Sequence, residues 1–415
     1  MTAHTTGLGP VTDVHARRNA MGRPLLPGGY GRSAYHVGGR APYAVRGAGW
    51  RLWDDSGREI IDANGNFTTL VHGNAHPVIV EAAEKALRDG ASWGVPNLTE
   101  WDLAEVLLQR LPGLGQVRFT NSGTEAVMSA IRVARAVTGR DGVIMTKDGY
   151  HGSSDVALLA GGPSRGVPTS TSADVDLVPL NDVAALRSVF EAAPQRHAAL
   201  VLDLLPNKAG LIEVSAEFVD EARKLTTRYG ALLIIDEVIS LRLGINGLSG
   251  VRGVVPDLLT AGKIIGGGFA IGAVAGRDEV MEVLDPWTPG SITHSGTFSG
   301  NPVSTAAGAA ALRLLTADQI DRLNTLGDDA RVRASQALTG TGWQMRGYGS
   351  LLRPFLIDAP KVPQETQQRL WWAAYERGVA LSSANLAALS TPMDSAVVAD
   401  LTERLVDAVK AIADR

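Results

Sequence analysis

Residues 231–238 read Ala-Leu-Leu-Ile-Ile-Asp-Glu-Val. The apolar run shows no alternation of polar and apolar residues, so it describes a strand buried on both faces. Such strands belong to parallel sheets covered by helices. Asp236 closes the run at its carboxyl end, the edge along which open α/β sheets bind ligands.

On both sides of this strand, short β-rich runs alternate with helical patterns. Strands are expected at Gln116–Thr120, Gly142–Thr146, Ala199–Leu205, Leu258–Thr260 and Gly272–Val274, with helices at Thr124–Thr138, Val183–Ala193 and Ala216–Tyr229. That order indicates a mostly parallel sheet with helices on both faces. Upstream, Val78–Asp89 and Trp101–Leu111 carry apolar residues at helical spacing. Downstream, Pro302–Leu315 reads as a helix, and Thr316-Ala317-Asp318-Gln319 is a capping box for another that runs to about Leu338.

The ends of the chain read differently. The first forty or so residues are rich in Gly, Pro and Arg, with a short helix over Val14–Met21. Tyr43–Val45 and Trp50–Trp53 read as strands, and Asp54-Asp55-Ser56-Gly57 as a turn before Glu59-Ile60-Ile61. After Trp343 the pattern gives strands at Leu351–Ile357, Val379–Leu381 and Leu386–Leu389, and helices at Gln364–Glu376 and Ser395–Ala413.

A length of 415 residues exceeds what one hydrophobic core serves. The expected division is an N-terminal segment with part of a small lobe (1–75), a large α/β domain (76–315) and a small α+β C-terminal domain (316–415). A net charge of −4 gives no reason to expect nucleic acid or an anionic membrane as partner. No apolar run approaches the ~20 residues of a membrane span. Met1–Pro10 does not have the pattern of a signal peptide, so a cytoplasmic enzyme is expected. The absence of cysteine excludes disulfides, thiolate metal sites and cysteine nucleophiles, and no metal site is assigned.

Four segments carry chemistry. Phe119-Thr120-Asn121-Ser122-Gly123-Thr124-Glu125-Ala126 joins a strand to a helix, where small residues and a helix N-terminus suit a phosphate; the alternative is an ordinary Ser/Thr N-cap. Asp236 would be buried and needs a cation such as a protonated pyridine nitrogen, unless it caps a nearby helix. Gly262-Lys263-Ile264-Ile265-Gly266-Gly267-Gly268 puts a lysine among apolar and small residues. Desolvation there lowers its pKa and frees the amine for Schiff-base chemistry, against the alternative of an exposed lysine beside a turn. The glycines lack the spacing of a nucleotide-binding loop. His294–Pro302 is a polar, small-residue loop before a helix. Together, a phosphate cradle, a strand-ending aspartate and a lysine soon after it on one α/β domain are what pyridoxal 5′-phosphate requires. Tyr150, just after another strand, is placed to stack on a pyridine ring or to pack in the core.

These residues resemble fold-type I, pyridoxal-phosphate-dependent transferases of the class III aminotransferase group. The closest similarity is to glutamate-1-semialdehyde aminomutases and β-phenylalanine (β-amino acid) aminotransferases. Phe119–Ala126, Gly149-Tyr150-His151-Gly152, Asp236-Glu237-Val238, Gly262–Gly268 and Ser295-Gly296-Thr297 match in order. Gly73-Asn74-Ala75-His76-Pro77 resembles the family's Gly-His-x-His-Pro run, with Asn74 at its first histidine. The resemblance implies that Ser122, Gly123 and Thr124 hold the phosphate, Tyr150 stacks on the ring and His151 belongs to the cofactor site. Asp236 pairs with the pyridine nitrogen, Val238 packs on the opposite ring face, and Lys263 is both Schiff base and proton carrier. Thr297 would reach the cofactor phosphate of a neighbouring subunit, which implies a homodimer.

Substrate choice is read from the departures. Pro27-Gly28-Gly29-Tyr30-Gly31-Arg32-Ser33 resembles the β-amino acid enzymes, whose loop arginine binds the substrate carboxylate; Arg32 takes that place. Ser382-Ser383 is followed by Ala384-Asn385-Leu386, without the arginine those enzymes carry for a second carboxylate. The family's Glu-Pro segment is replaced by Asp203-Leu204-Leu205-Pro206-Asn207-Lys208, which brings Asn207 or Lys208 toward the cofactor's phenolic oxygen unless Lys208 is a surface residue. The expected function is transfer of an amino group from a β- or otherwise non-standard amino acid. The alternative is an aminomutase or racemase acting on a single substrate.

Overall fold

The structure, a computed structural model, describes residues 17, 20–39, 41–162 and 164–413. The helix expected over Val14–Met21 and the reading of Met1–Pro10 lie mostly outside them. The chain divides into two compact units, Met1–His76 together with Asp321–Arg415, and Pro77–Ile320.

In the first unit, β1 (Ala44–Ala48), β2 (Arg51–Asp54) and β3 (Glu59–Asp62) form an antiparallel meander. The β2–β3 turn closes on Asp54, whose Oδ1 accepts the N–H groups of Ser56 at 2.9 Å and Arg58 at 3.0 Å.

The second unit is built on seven strands: β4 (Gln116–Thr120), β5 (Gly142–Thr146), β6 (Val175–Val178), β7 (His197–Leu202), β8 (Leu232–Asp236), β9 (Leu258–Gly262) and β10 (Gly272–Gly276), in the order β4-β10-β9-β8-β7-β5-β6. β10 runs antiparallel to both neighbours and the other pairings are parallel. β5, β7, β8, β9 and β10 are buried along their whole length, as their largely apolar sequences demand. Val127, Ile131 and Ala134 of the helix Gly123–Thr138 pack on Met145, Val201 and Ile234 of the sheet. Burial of this kind contributes roughly 25 cal/mol per Å² of apolar surface removed from water.

In the first unit's later part, β11 (Trp343–Tyr348), β12 (Leu351–Leu356) and β14 (Ala387–Ala388) form a small sheet, and β13 (Val379–Ala380) adds in parallel to β3. The helices Gln364–Glu376 and Ser395–Ala413 have the limits expected from sequence.

Some boundaries differ for local reasons. The helix expected at Trp101–Leu111 is Leu98–Leu108, because Asn97 caps it by accepting the N–H of Glu100 at 3.2 Å. The strand expected to reach Leu205 ends at Leu202, where Asp203 Oδ1 accepts the Leu205 N–H at 2.9 Å and turns the chain. β6 and β11 were not expected. Each mixes polar residues into a short run (Val-Asp-Leu-Val and Trp-Gln-Met-Arg-Gly-Tyr), which hides the strand period.

Candidate active site

The helix Gly123–Thr138 starts three residues after β4 ends. Ser122 is its N-cap, extended at φ −157°, and its Oγ accepts the N–H of Glu125 at 3.2 Å. The Glu125 carboxylate reaches back to the N–H of Asn121 at 2.9 Å. The capping role is therefore real. It leaves the N–H groups of Gly123 and Thr124 without an acceptor among the described residues, at the positive end of a sixteen-residue helix.

Two glycines let other segments close on this point. A Cβ on Gly123 would lie 2.9 Å from both methyls of Val238. Gly152 has φ +97°, and a Cβ there would lie 2.6 Å from Thr124 Oγ1. The Cβ position of Gly262, the residue before Lys263, is 3.5 Å from Val238 and 3.6 Å from the Gly123 Cα. Ser122, Gly123, Thr124, Gly152, Val238 and Gly262 thus meet at the carboxyl edge of the sheet.

Asp236 is held from three sides. Its Oδ2 accepts from His151 Nδ1 at 2.7 Å, and its Oδ1 accepts from the Val238 N–H at 3.1 Å and the Thr260 hydroxyl at 3.0 Å. Burial acts to raise its pKa, but His151, Val238 and Thr260 outweigh burial and hold the carboxyl below its ordinary range. For His151, burial favours the neutral ring, yet the bond to Asp236 and the charges of Asp236 and Asp203 raise its pKa. The pair favours the charged forms of both partners, and the Nε2 of His151 is buried and without a hydrogen-bond partner among the described residues.

Lys263 follows β9 directly. It carries φ +49°, a left-handed conformation costing a non-glycine residue about 1 kcal/mol, so its surroundings dictate the placement. Burial lowers its pKa, and the charges of Asp236 and Asp203 act against that without reversing it. The exposed-lysine alternative does not hold, because the residue is half-buried and its burial lowers the amine's pKa.

Tyr150 is 56% exposed, which excludes core packing, whereas its neighbour His151 is buried. Thr297 is exposed on the loop before the helix Pro302–Leu314. Lys208 is exposed, as the surface alternative expects, with its Nζ against Gly161. Arg32 belongs to the other unit. Its guanidinium lies over the rings of Tyr35 and Phe67, 4.5 Å and 5.6 Å from their centroids, and donates to Asn66 Oδ1 at 3.2 Å and to the Tyr35 hydroxyl. Asn66, Phe67 and Thr68 all have positive φ and, with Gly65, form a left-handed turn.

Sequence reasoning missed Thr260, Asn66 and Phe67, and gave Asp203 no role. Asp203 is 5% exposed, and burial, then the charge of Asp236, pushes its carboxyl up to about 7. Its signal was visible: it is the acid at the end of an apolar strand, as Asp236 is. Thr260 sits inside a strand and gave none.

The donor set fits a phosphorylated pyridine aldehyde: backbone N–H groups for the phosphate, an ionised carboxylate for a protonated ring nitrogen, and a desolvated amine for the aldehyde. The comparisons point the same way. Residues 35–412 match the model of the family described as aminotransferase class-III. A glutamate-1-semialdehyde 2,1-aminomutase of Rhodopirellula baltica is 34% identical over 416 aligned positions, covering 94% of this chain and 93% of that protein. A solved structure of a transaminase with PLP bound superposes at a TM-score of 0.93 with 35% identity, over 98% of this chain and 99% of the other. A β-phenylalanine aminotransferase from Variovorax paradoxus superposes at 0.87 with 31% identity, over 96% and 93%. With the match running nearly end to end, this chain belongs to the class-III aminotransferases.

Proposed function

We propose that this enzyme moves the amino group of a small amino acid or amine, with pyridoxal 5′-phosphate as cofactor and a β- or otherwise non-standard amino acid as substrate. The observation that carries the reading is the meeting of the free Gly123 and Thr124 N–H groups, the ionised Asp236 and the desolvated Lys263 at one edge of one sheet. The likeness to a β-phenylalanine aminotransferase, together with Arg32 in its loop, supports the substrate class.

When bound, the cofactor supplies an aldehyde that condenses with amines and a ring that withdraws electrons from the adjacent carbon. In this reading Ser122, Gly123 and Thr124 bind the phosphate, Asp236 orients the ring nitrogen and keeps it protonated, and His151 keeps Asp236 ionised. Tyr150 and Val238 pack on opposite ring faces. Lys263 holds the cofactor and, once released by substrate, takes and returns the proton of the substrate carbon. Arg32, pre-oriented by Tyr35, Phe67 and Asn66, binds the substrate carboxylate.

In this reading the unit Pro77–Ile320, which contains the proposed cofactor residues, is the cofactor-binding domain, and the unit of Met1–His76 with Asp321–Arg415 is the small lobe. We further propose a homodimer in which Thr297 completes the neighbour's phosphate site. Exposed Trp93, Leu98, Trp101 and Phe298 in the same unit support an apolar face to be covered. Cytoplasmic localisation is proposed from composition. Among the described residues no helix is long and apolar enough to cross a membrane.

One observation favours a second reading. The Ser382-Ser383 segment lacks the second arginine, which suits a single-substrate aminomutase or racemase. The test is an absorbance spectrum of the protein with pyridoxal 5′-phosphate before and after α- and β-amino acids, without keto acid. Conversion of the cofactor to its amine form with release of a keto product establishes transamination. Isomerised product with the original band regenerated establishes the mutase or racemase. No band that depends on Lys263 refutes both.

A further inference from the structure

Asp203 follows the last residue of β7, and Asp236 is the last residue of β8. The two strands are parallel, with Leu202 opposite Ile235, so Asp203 and Asp236 stand side by side at one level of the sheet. Neighbouring strands are about 4.8 Å apart. Both side chains are buried. Asp236 is satisfied by His151, Val238 and Thr260, whereas for Asp203 the Leu205 N–H is the neutralising hydrogen bond. The groups that face Asp203 electrostatically are Asp236 and Glu237 from the end of β8, His151 from the loop after β5 and Lys263 from the end of β9.

Two carboxylates at this spacing in a dry site do not both stay ionised readily. Asp236 has the imidazolium and keeps its charge, so Asp203 is the member that holds a proton. Its environment pushes it up to about 7, within the range where it exchanges that proton with solvent. When Asp203 is neutral, the site contains one ion pair, His151–Asp236, and burial lowers the Lys263 pKa against the charge of Asp236 alone. When Asp203 is ionised, a second negative charge favours the protonated forms of both Lys263 and His151.

We propose that Asp203 is a positioning residue for the amino-group transfer, whose own proton sets how much of Lys263 is in the free-amine form and so available to bond the cofactor and to accept a proton. This rests on the pyridoxal-phosphate reading above. Asp203 itself touches neither substrate nor cofactor in this account; it acts through charge on Lys263 and on the His151–Asp236 pair.

The experiment is a pH titration of the visible cofactor band in the holoenzyme, wild type against Asp203→Asn and Asp203→Glu, with the pH profile of kcat/KM beside it. Removing the negative charge is expected to move the band's titration to lower pH by about one unit, a tenfold change in the protonation equilibrium. Asp203→Glu should restore the wild-type position. Titrations of wild type and Asp203→Asn that overlay, in well-folded protein, overturn the proposal and leave Asp203 a packing residue. A wild type that shows no visible band with the cofactor refutes the earlier reading instead. If Asp203→Asn does not fold, infrared difference spectra of the wild type across pH 7 decide: a protonated carboxyl that disappears over that range supports the proposal, and its absence overturns it.

Discussion

The imidazole of His151 donates from Nδ1 to Oδ2 of Asp236 at 2.7 Å, and both side chains are buried. Each fixes the charge of the other against burial, so the carboxylate stays ionised at the sheet edge without solvent.

Removing His151 tests that dependence. In His151→Ala, Asp236 keeps the bonds from Val238 and Thr260 but loses its counter-ion, and its carboxyl pKa rises. Breaking a buried pair costs about 3–5 kcal/mol, so the melting temperature is expected to fall. Affinity for pyridoxal 5′-phosphate, measured by absorbance titration, is expected to weaken by at least about tenfold. Unchanged cofactor affinity would show that Asp236 needs no partner.

Lys263→Ala is expected to abolish the visible cofactor band and the amino-transfer activity while leaving the fold intact. A left-handed alanine remains mildly strained, as the lysine is at φ +49°. The check is a circular dichroism melt run alongside the absorbance spectrum. A retained band would move the covalent role to another lysine, with Lys208 the first to examine.

Gly152→Ala is expected to fail at the phosphate. At φ +97°, with Thr124 Oγ1 2.6 Å from the new methyl, either the loop or the helix start must shift. A shift there displaces the Gly123 and Thr124 N–H groups, so inorganic phosphate and the cofactor should both bind about tenfold or more weakly by calorimetry. Ser122→Ala should cost only about 1 kcal/mol of stability, the worth of an N-cap.

Phe67→Ala and Tyr35→Phe loosen Arg32 without removing its charge. Both should raise KM for carboxylated substrates several-fold, with a smaller effect on kcat, because they disturb binding and not the transferred proton. Arg32→Ala should raise KM by about a hundredfold, the loss of a charge-assisted bidentate contact. Amines without a carboxylate should be nearly indifferent to all three, which steady-state kinetics will show.

The pH dependence of stability follows from Asp203. Its folded pKa, about 7, lies above the unfolded value, so between about 4 and 7 the native state binds more protons than the unfolded one. The stability relative to acid conditions is therefore lost as pH rises through that window and is constant above it. In cofactor-free protein, Asp203→Asn should gain on the wild type over the same window by up to about 4 kcal/mol. Chemical denaturation at a series of pH values measures it. His151 adds to the same trend, because its raised pKa contributes stability below about 6.5 that disappears as pH rises through its folded value.

Much of this site was legible because buried parallel strands write themselves as apolar runs, and the residue that ends each run lies at the ligand edge. Asp236 is read that way, Lys263 from the small and apolar residues around it, and the strand-end rule applied to Asp203 marks that residue too. The cap at Ser122 and the phosphate cradle were offered as alternatives, and the structure contains the cap while leaving the N–H groups a phosphate needs. Thr260 was invisible because a threonine inside a strand has no distinguishing pattern. Asn66 and Phe67 depend on a left-handed turn of non-glycine residues, which local propensity argues against and only tertiary packing can hold.

The reversed strand β10 has a consequence for how the protein is made. It separates β4 from β9, so the strand that leads into the helix Gly123–Thr138 has no permanent neighbour until Gly272–Gly276 has been synthesised. Half of the large unit must wait on the ribosome with an open β4 edge. Pairing over such a sequence distance is slow and leaves strands exposed to aggregation. A chain that stops before Gly272 therefore leaves β4 without its partner strand, and the sheet closes at this edge only when β10 is complete.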